Sequence, residues 1–216
     1  MSTEVEKGLK KLVEYTRLAW NRGLTESTGG NMSMRVGNEI YITPTGFVKH
    51  FITAEDFVVL NLKGEQIRGK RKLSSEYRMH VKIYNERDDI KSVFHAHPRY
   101  TLIYAINHAE IPIDTTPENL FMLSNIEYVP YYMAGTDDFA DAFVPGLRKG
   151  KDIFLLYNHG VTTCADSIEG AFAKLESLET CCFVSIMGSI VGEICHAKPV
   201  KISDEDIKQF LDKLAK

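Results

Sequence analysis

Residues 91–98 read KSVFHAHP, a strand-like run that carries two histidines one residue apart. Side chains at i and i+2 of a strand point to the same face. His95 and His97 therefore project side by side, while Ala96 turns the other way. Pro98, which has no N–H for a ladder, ends the strand. Such a pair binds a metal ion if the chain supplies a third ligand; otherwise it is two polar residues on a solvent face. The run FLLYNHG at 154–160 offers one, because His159 stands where the most strand-like run of the chain breaks into a turn at Gly160. Three neutral imidazoles with an open fourth position are the pattern of a catalytic zinc, which accepts water or a substrate oxygen there. The four cysteines (Cys164, Cys181, Cys182 and Cys195) have no C-x-x-C spacing, so thiolate ligation is not indicated. Reduced thiols in a cytosolic protein are the simplest account of them.

Three further segments have the character of anion sites. KLSSEY at 72–77 precedes a helical run. One of its serines is a natural N-cap, and the N–H groups and dipole at a helix start favour phosphate. Glu76, expected in the first helical turn, is either a cap partner or a general base. TGGN at 28–31 and TPTG at 43–46 combine glycines, which let backbone N–H groups approach an anion, with Asn and Thr donors.

The elements that must position these groups follow from periodicity. Leu9, Leu12, Val13, Thr16, Ala19 and Trp20 recur with helical spacing, and Gly23 stops that helix. MSMRV and EIYIT flank Gly37-Asn38, a two-residue hairpin signal, and VVLNL and QIRG form a second hairpin. EYRMHVKIYNER is helical with Tyr77, His80, Val81 and Tyr84 on one stripe. SVFHAH is a strand, and a helix follows Pro98. IEYVPY is a strand, residues 136–143 open a helix with an acidic first turn, and DIFLLYN is a strand. DSIE at 166–169 reads as a capping box before a long amphipathic helix. Hairpins followed by alternating helices and strands give one α/β domain over 1–216, with helices covering a mixed sheet and a helical tail from about 203.

Read in order, GGNMS, ITPTG, SSE, HAHP and NHG resemble the motif series of the class II aldolase/adducin family, within it most closely the L-fuculose-1-phosphate aldolases. The resemblance covers roughly residues 8–195. It implies a three-layer α/β/α domain around a mixed, largely antiparallel sheet, with C4 homotetramers in many members and active sites between subunits. It also implies that His95, His97 and His159 ligate zinc, with manganese or cobalt as alternatives. Glu76 is then the acid/base and a further ligand in the unliganded enzyme, and Gly30, Asn31, Thr45, Gly46, Ser74 and Ser75 cradle a phosphate. The implied reaction is reversible cleavage of a phosphorylated ketose, such as L-fuculose 1-phosphate, to dihydroxyacetone phosphate and an aldehyde. The 4-epimerase branch carries aspartate where SSE has glutamate; decarboxylases and dehydratases also occur, and the adducin head is a structural module expected to lack the ligands. No tyrosine follows Ile111-Pro112 and none lies in the tail, where the fuculose-phosphate enzymes have them. Tyr128, Tyr131 and Tyr132 are the nearby substitutes, although aromatic residues there are expected in the core.

The remaining histidines bear less weight. His80 lies one turn beyond Glu76 and shares its helix face, so it is expected to pack behind the site without being a ligand. His50, His108 and His196 sit in polar, loop-like contexts. A net charge of −3 gives no case for nucleic acid, and the basic run RGKRK at 68–72 reads as a solvated loop. The charged amphipathic N-terminus is unlike a signal peptide. No apolar run is expected to approach the roughly 20 residues that span a bilayer. A cytoplasmic enzyme acting on a small phosphorylated sugar is the expectation.

Overall fold

Alternate residues of strand β5 (Ser92–Ala96) enter two different cores. Phe94 and Ala96 join one cluster and Val93 the other, as period-two geometry demands of a strand buried on both faces. In this computed structural model, which describes residues 3–214, the strand belongs to one eight-stranded sheet. Its strands are β1 (Asn31–Val36), β2 (Glu39–Ile42), β3 (Val58–Asn61), β4 (Gln66–Arg68), β5, β6 (Ile126–Val129), β7 (Ile153–Leu156) and β8 (Gly160–Ala165). Their spatial order is β4-β3-β2-β1-β5-β8-β7-β6, and only the β6–β7 pairing is parallel. Residues 1–2 and 215–216, the ends of the expected domain, lie outside the described residues.

Helices α1 (Thr3–Asn21), α3 (Arg99–Asn107), α4 (Pro117–Leu123) and α7 (Ile168–Ile194) cover one face of the sheet. Leu9, Leu12, Ala105, Leu123, Phe172 and Leu175 pack there on Met32, Phe94, Leu155 and Val161. Helices α2 (Tyr77–Glu86), α5 (Asp137–Asp141) and α6 (Val144–Arg148) cover the other, through Met79, Ile83, Tyr84, Phe139 and Leu147. The result is an α/β/α sandwich with a mixed, largely antiparallel sheet. Helix α8 (Asp204–Leu214) follows a segment tied to Asp114 by the Ile202 N–H and the Lys201 ammonium, and it packs on α4.

Both expected hairpins form, the first with Val36 opposite Glu39 and Gly37 at φ 58°. Four local expectations need correction. Strand β8 was not foreseen, because its six residues are all buried and show no polar alternation. Helix α7 is capped by Ser167, which accepts from the Gly170 N–H at 3.2 Å, while Glu169 pairs with Lys11 and completes no capping box. Neither Ser74 nor Ser75 caps α2: Glu76 occupies the N-cap position, and its carboxylate makes no cap bond. Finally, α7 is long and apolar enough by length and composition to cross a bilayer. Ala171, Phe172, Leu175, Leu178, Cys181 and Cys182 on its first half are nevertheless buried against the sheet and its neighbouring helices, while Phe183, Met187, Ile190 and Ile194 on its second half are exposed.

Candidate active site

Strand β5 delivers His95 on the α2 face of the sheet, fully buried, and ends one residue before His97. His159 arrives from the three-residue turn between β7 and β8. Asn158 takes the left-handed conformation there (φ 57°), which asparagine tolerates better than most residues. Gly160 then leaves room: a Cβ at that position would stand 2.6 Å from the Ala96 carbonyl oxygen and 2.7 Å from Cδ2 of His97. The N-H-G triplet is thus a device for turning one imidazole toward two others.

One ligand nitrogen from each of the three histidines lies within 4.8 Å of the others. The Nε2 atoms of His95 and His97 are 3.2 Å apart. Both Nδ1 atoms face acceptors: His95 the Val161 carbonyl at 3.1 Å, and His97 the Glu26 carboxylate at 3.1 Å. Protons on Nδ1 leave two Nε2 lone pairs facing each other, an arrangement that calls for a cation. Nitrogens bound at about 2.0–2.1 Å to one tetrahedral ion stand about 3.3 Å apart, close to what is seen. Burial holds the His95 imidazole neutral, its pKa lowered to about 3 despite the Glu76 carboxylate, which suits a ligand.

Glu76 completes the cluster. Its Oε1 is 3.2 Å from His159 Nε2 and its Oε2 is 3.5 Å from His95 Nε2. Oε2 accepts a hydrogen bond from the Asn31 amide at 2.7 Å, whereas buried Oε1 has no hydrogen-bond partner among the described residues. Burial raises the Glu76 pKa, but the imidazoles of His95 and His159 and the Asn31 amide outweigh it and hold the carboxyl well below the usual range. A converging set of three imidazoles, one ionised carboxylate and an orphaned oxygen fits a divalent metal.

The three glycine- or serine-rich segments meet beside this cluster. The Thr45 N–H donates to the Lys72 carbonyl at 3.1 Å, joining the Thr45–Gly46 turn to the strand-like approach to Ser74. Buried Lys49 joins that turn to the Gly30 loop: its N–H donates to Ser27, and its ammonium to the carbonyls of Thr28 and Phe47 at 3.0 and 3.2 Å. Burial lowers its pKa to about 8. Gly30 needs its φ of 65° and its lack of a Cβ, which would stand 2.5 Å from the His95 carbonyl oxygen. Gly46 and Ser75 are exposed, while Ser74 is buried and accepts from the Glu76 N–H at 3.3 Å. The side chain of Asn31 is engaged by Glu76 and His80.

Sequence reasoning passed over Glu26 and Lys49, since a loop carboxylate and a loop lysine read as solvent-facing. It also put His50 in a solvated context, but that ring packs on Trp20 at a 47° tilt with centroids 4.4 Å apart, and its Nδ1 is buried. His108 stacks on Tyr157, and His196 is exposed. Of the three tyrosines, Tyr128 is half-buried and accepts from the Ile111 N–H. Tyr131 and Tyr132 are exposed, contrary to the core expectation, on the segment leading to Gly135. A Cβ on Gly135 would stand 2.8 Å from the Ser75 carbonyl oxygen, so this segment borders the cluster.

The profile of the Class II Aldolase and Adducin N-terminal domain matches residues 10–186. The chain belongs to this family. An L-fuculose phosphate aldolase of Methanococcus maripaludis is 36% identical over 171 residues, spanning 79% of this chain and 92% of that one. A 5-deoxy-D-ribulose 1-phosphate aldolase of Bacillus thuringiensis is 35% identical over 191 residues, 88% of this chain and 89% of that one. Among solved structures, an L-fuculose 1-phosphate aldolase superimposes with a TM-score of 0.83 at 27% identity, covering 100% of this chain and 98% of that one. Three imidazoles, a carboxylate and three converging anion-type segments are thus the polar end of a class II aldolase domain.

Proposed function

We propose that this chain is a divalent-metal-dependent aldolase that reversibly cleaves a ketose 1-phosphate to dihydroxyacetone phosphate and an aldehyde. The observation that carries the reading is Glu76, an ionised carboxylate with one anchored and one free oxygen, aimed into a three-histidine cluster. His95, His97 and His159, with Glu76 in the absence of substrate, would hold the metal. Zinc is the first expectation, with manganese and cobalt also accepted by such ligands. When bound, the ion supplies a Lewis acid that stabilises enediolate charge.

The chain's own groups account for the rest. The segments around Gly30, Thr45–Gly46 and Ser74–Ser75 bind the phosphate and fix the distance from it to the carboxylate. In condensation Oε1 of Glu76 removes the proton from the hydroxymethyl carbon of dihydroxyacetone phosphate. In cleavage the C3–C4 bond breaks and the C4 hydroxyl gives up its proton to form the aldehyde. Glu76 takes up that proton and returns it to the enediolate carbon. Buried Phe139, whose ring centroid lies 5.3 Å from that of His159, helps to exclude water from that side. The aldolase relatives favour this reading over epimerase, decarboxylase or dehydratase alternatives, and the intact cluster speaks against an adducin-like structural module. The two relatives are named for L-fuculose phosphate and 5-deoxy-D-ribulose 1-phosphate, both ketose phosphates that end in a methyl group. A ketose with a short deoxygenated aldehyde half is therefore the first substrate class to try.

The reading includes a cytoplasmic homotetramer. Phe183, Met187, Ile190 and Ile194 expose an apolar face on the second half of α7, the kind of patch that marks a protein interface. Glu76→Gln provides the direct test: it should retain the metal and the fold while losing turnover. A fully active Glu76→Gln variant would remove Glu76 from the chemistry.

A further inference from the structure

Behind Glu76 runs a buried chain of polar side chains that the proposed chemistry leaves unused. Asn31 Nδ2 donates to Glu76 Oε2 at 2.7 Å, and Asn31 Oδ1 faces His80 Nε2 at 2.5 Å. His80 Nδ1 lies 2.6 Å from Ser33 Oγ, which lies 2.7 Å from the Tyr84 hydroxyl. Asn31, Ser33, His80 and Tyr84 are all buried, with at most 4% of any one exposed. They come from strand β1 and helix α2, and the bonded pairs are 47 to 51 positions apart in the chain.

The direction of every hydrogen bond follows from its end. An ionised carboxylate only accepts, so the amide nitrogen of Asn31 must face Glu76 and its carbonyl oxygen must face His80. That carbonyl needs a donor, which puts the His80 proton on Nε2. The Nδ1 lone pair then accepts from the Ser33 hydroxyl, and Ser33 Oγ in turn accepts from Tyr84. Each group has one orientation that satisfies its neighbours, and reversing any one leaves two acceptors or two donors in contact without water.

We propose that His80 is a positioning residue for the proposed acid/base: as the Nε2–H tautomer it locks the Asn31 amide, which anchors Oε2 of Glu76 and leaves Oε1 as the single oxygen that moves the proton. This rests on the assignment of Glu76 above. Without the His80 donor the Asn31 amide is free to reverse, presenting its carbonyl to the carboxylate and turning an anchor into a repulsion. Partners of this kind, set behind a site's working groups, commonly contribute ten- to hundredfold in activity.

A double-mutant cycle on the metal-loaded protein tests this, read as the rate of hydroxymethyl proton exchange of dihydroxyacetone phosphate. His80→Phe should lower kcat about ten- to hundredfold, with little change in KM and with the metal retained. In an Asn31→Ala background the same substitution should cost less than about twofold, since the group it orients is gone. Equal losses in both backgrounds, or an unchanged kcat in the first, would overturn the inference. His80→Gln, whose amide offers a donor toward Asn31, should recover part of the loss; no recovery over Phe counts against the donor role. Should these variants fail to fold, nitrogen NMR of the zinc-loaded wild-type protein decides: a proton on Nε2 of His80 supports the inference, and one on Nδ1 refutes it. Glu76→Gln separates the two levels. If it is inactive while His80→Phe is silent, only the positioning role fails; if it is fully active, the underlying assignment fails.

Discussion

Acidifying the metal-free protein should destabilise it before the carboxylates as a class are protonated. His80 and His95 are fully buried, and burial lowers both pKa values to about 3 from an ordinary value near 6.5, against the opposing pull of Glu76. Between those limits the unfolded chain binds protons that the folded one refuses, so stability falls as pH falls. For one such histidine the loss from pH 7.5 to pH 5 is about 2 kcal/mol, and the pair gives about 4 kcal/mol. The slope approaches two protons, about 2.7 kcal/mol per pH unit, below the ordinary histidine range. That is a large share of the roughly 5–15 kcal/mol that stabilises a typical domain. Urea unfolding of chelator-treated protein at several pH values measures it directly, and His80→Gln should halve the slope. A stability that is flat between pH 7.5 and pH 5 would refute the claim that these two imidazoles are buried and neutral. A slope unaltered by His80→Gln would refute the share assigned to His80.

The turn that carries His159 makes two predictions of opposite kind. Asn158→Ala, forced to keep φ near 57°, should lose about 1–2 kcal/mol in chemical denaturation, whereas Asn158→Gly should keep the turn and the metal. Gly160→Ala should act on the cluster, because its Cβ meets the Ala96 backbone and the His97 ring. Competition with a chelator should find metal affinity down by about tenfold or more, and unchanged affinity would mean that His97 is not held by this contact.

How much of this was legible depended on whether the signal was local. The period-two pairing of His95 with His97 can be read from three residues, and so can the Gly37 hairpin. The arrival of His159 depends on Asn158 and Gly160, which read only as a turn until β8 supplied the returning strand. Strand β8 itself was hidden because both its faces are buried, so its residues carry no alternation. Lys49 is buried by the approach of the loop at 27–28, and its ammonium reaches a carbonyl 21 positions away. No local pattern encodes that. The His80–Asn31–Glu76 chain was half visible: helical spacing put His80 and Glu76 on one face, but the strand that brings Asn31 between them is a tertiary fact. The side chain of Asn31, expected in a phosphate-cradling segment, is engaged by the carboxylate and His80. A long helix after residue 166 was expected, but not the way α7 divides: its first half is buried, whereas Phe183, Met187, Ile190 and Ile194 on its second half are exposed, and no local pattern marks the change.

The most direct test of the central claim leaves the sugar unnamed. Metal-loaded protein in D2O is mixed with dihydroxyacetone phosphate alone, and the hydroxymethyl proton signal is followed by NMR with and without chelator. Stereospecific loss of one proton signal, which stops on chelation and is absent in Glu76→Gln, is the expected result. Metal-loaded wild-type protein that exchanges nothing would contradict it, and with it the assignment of Glu76 as the group that moves a proton at carbon.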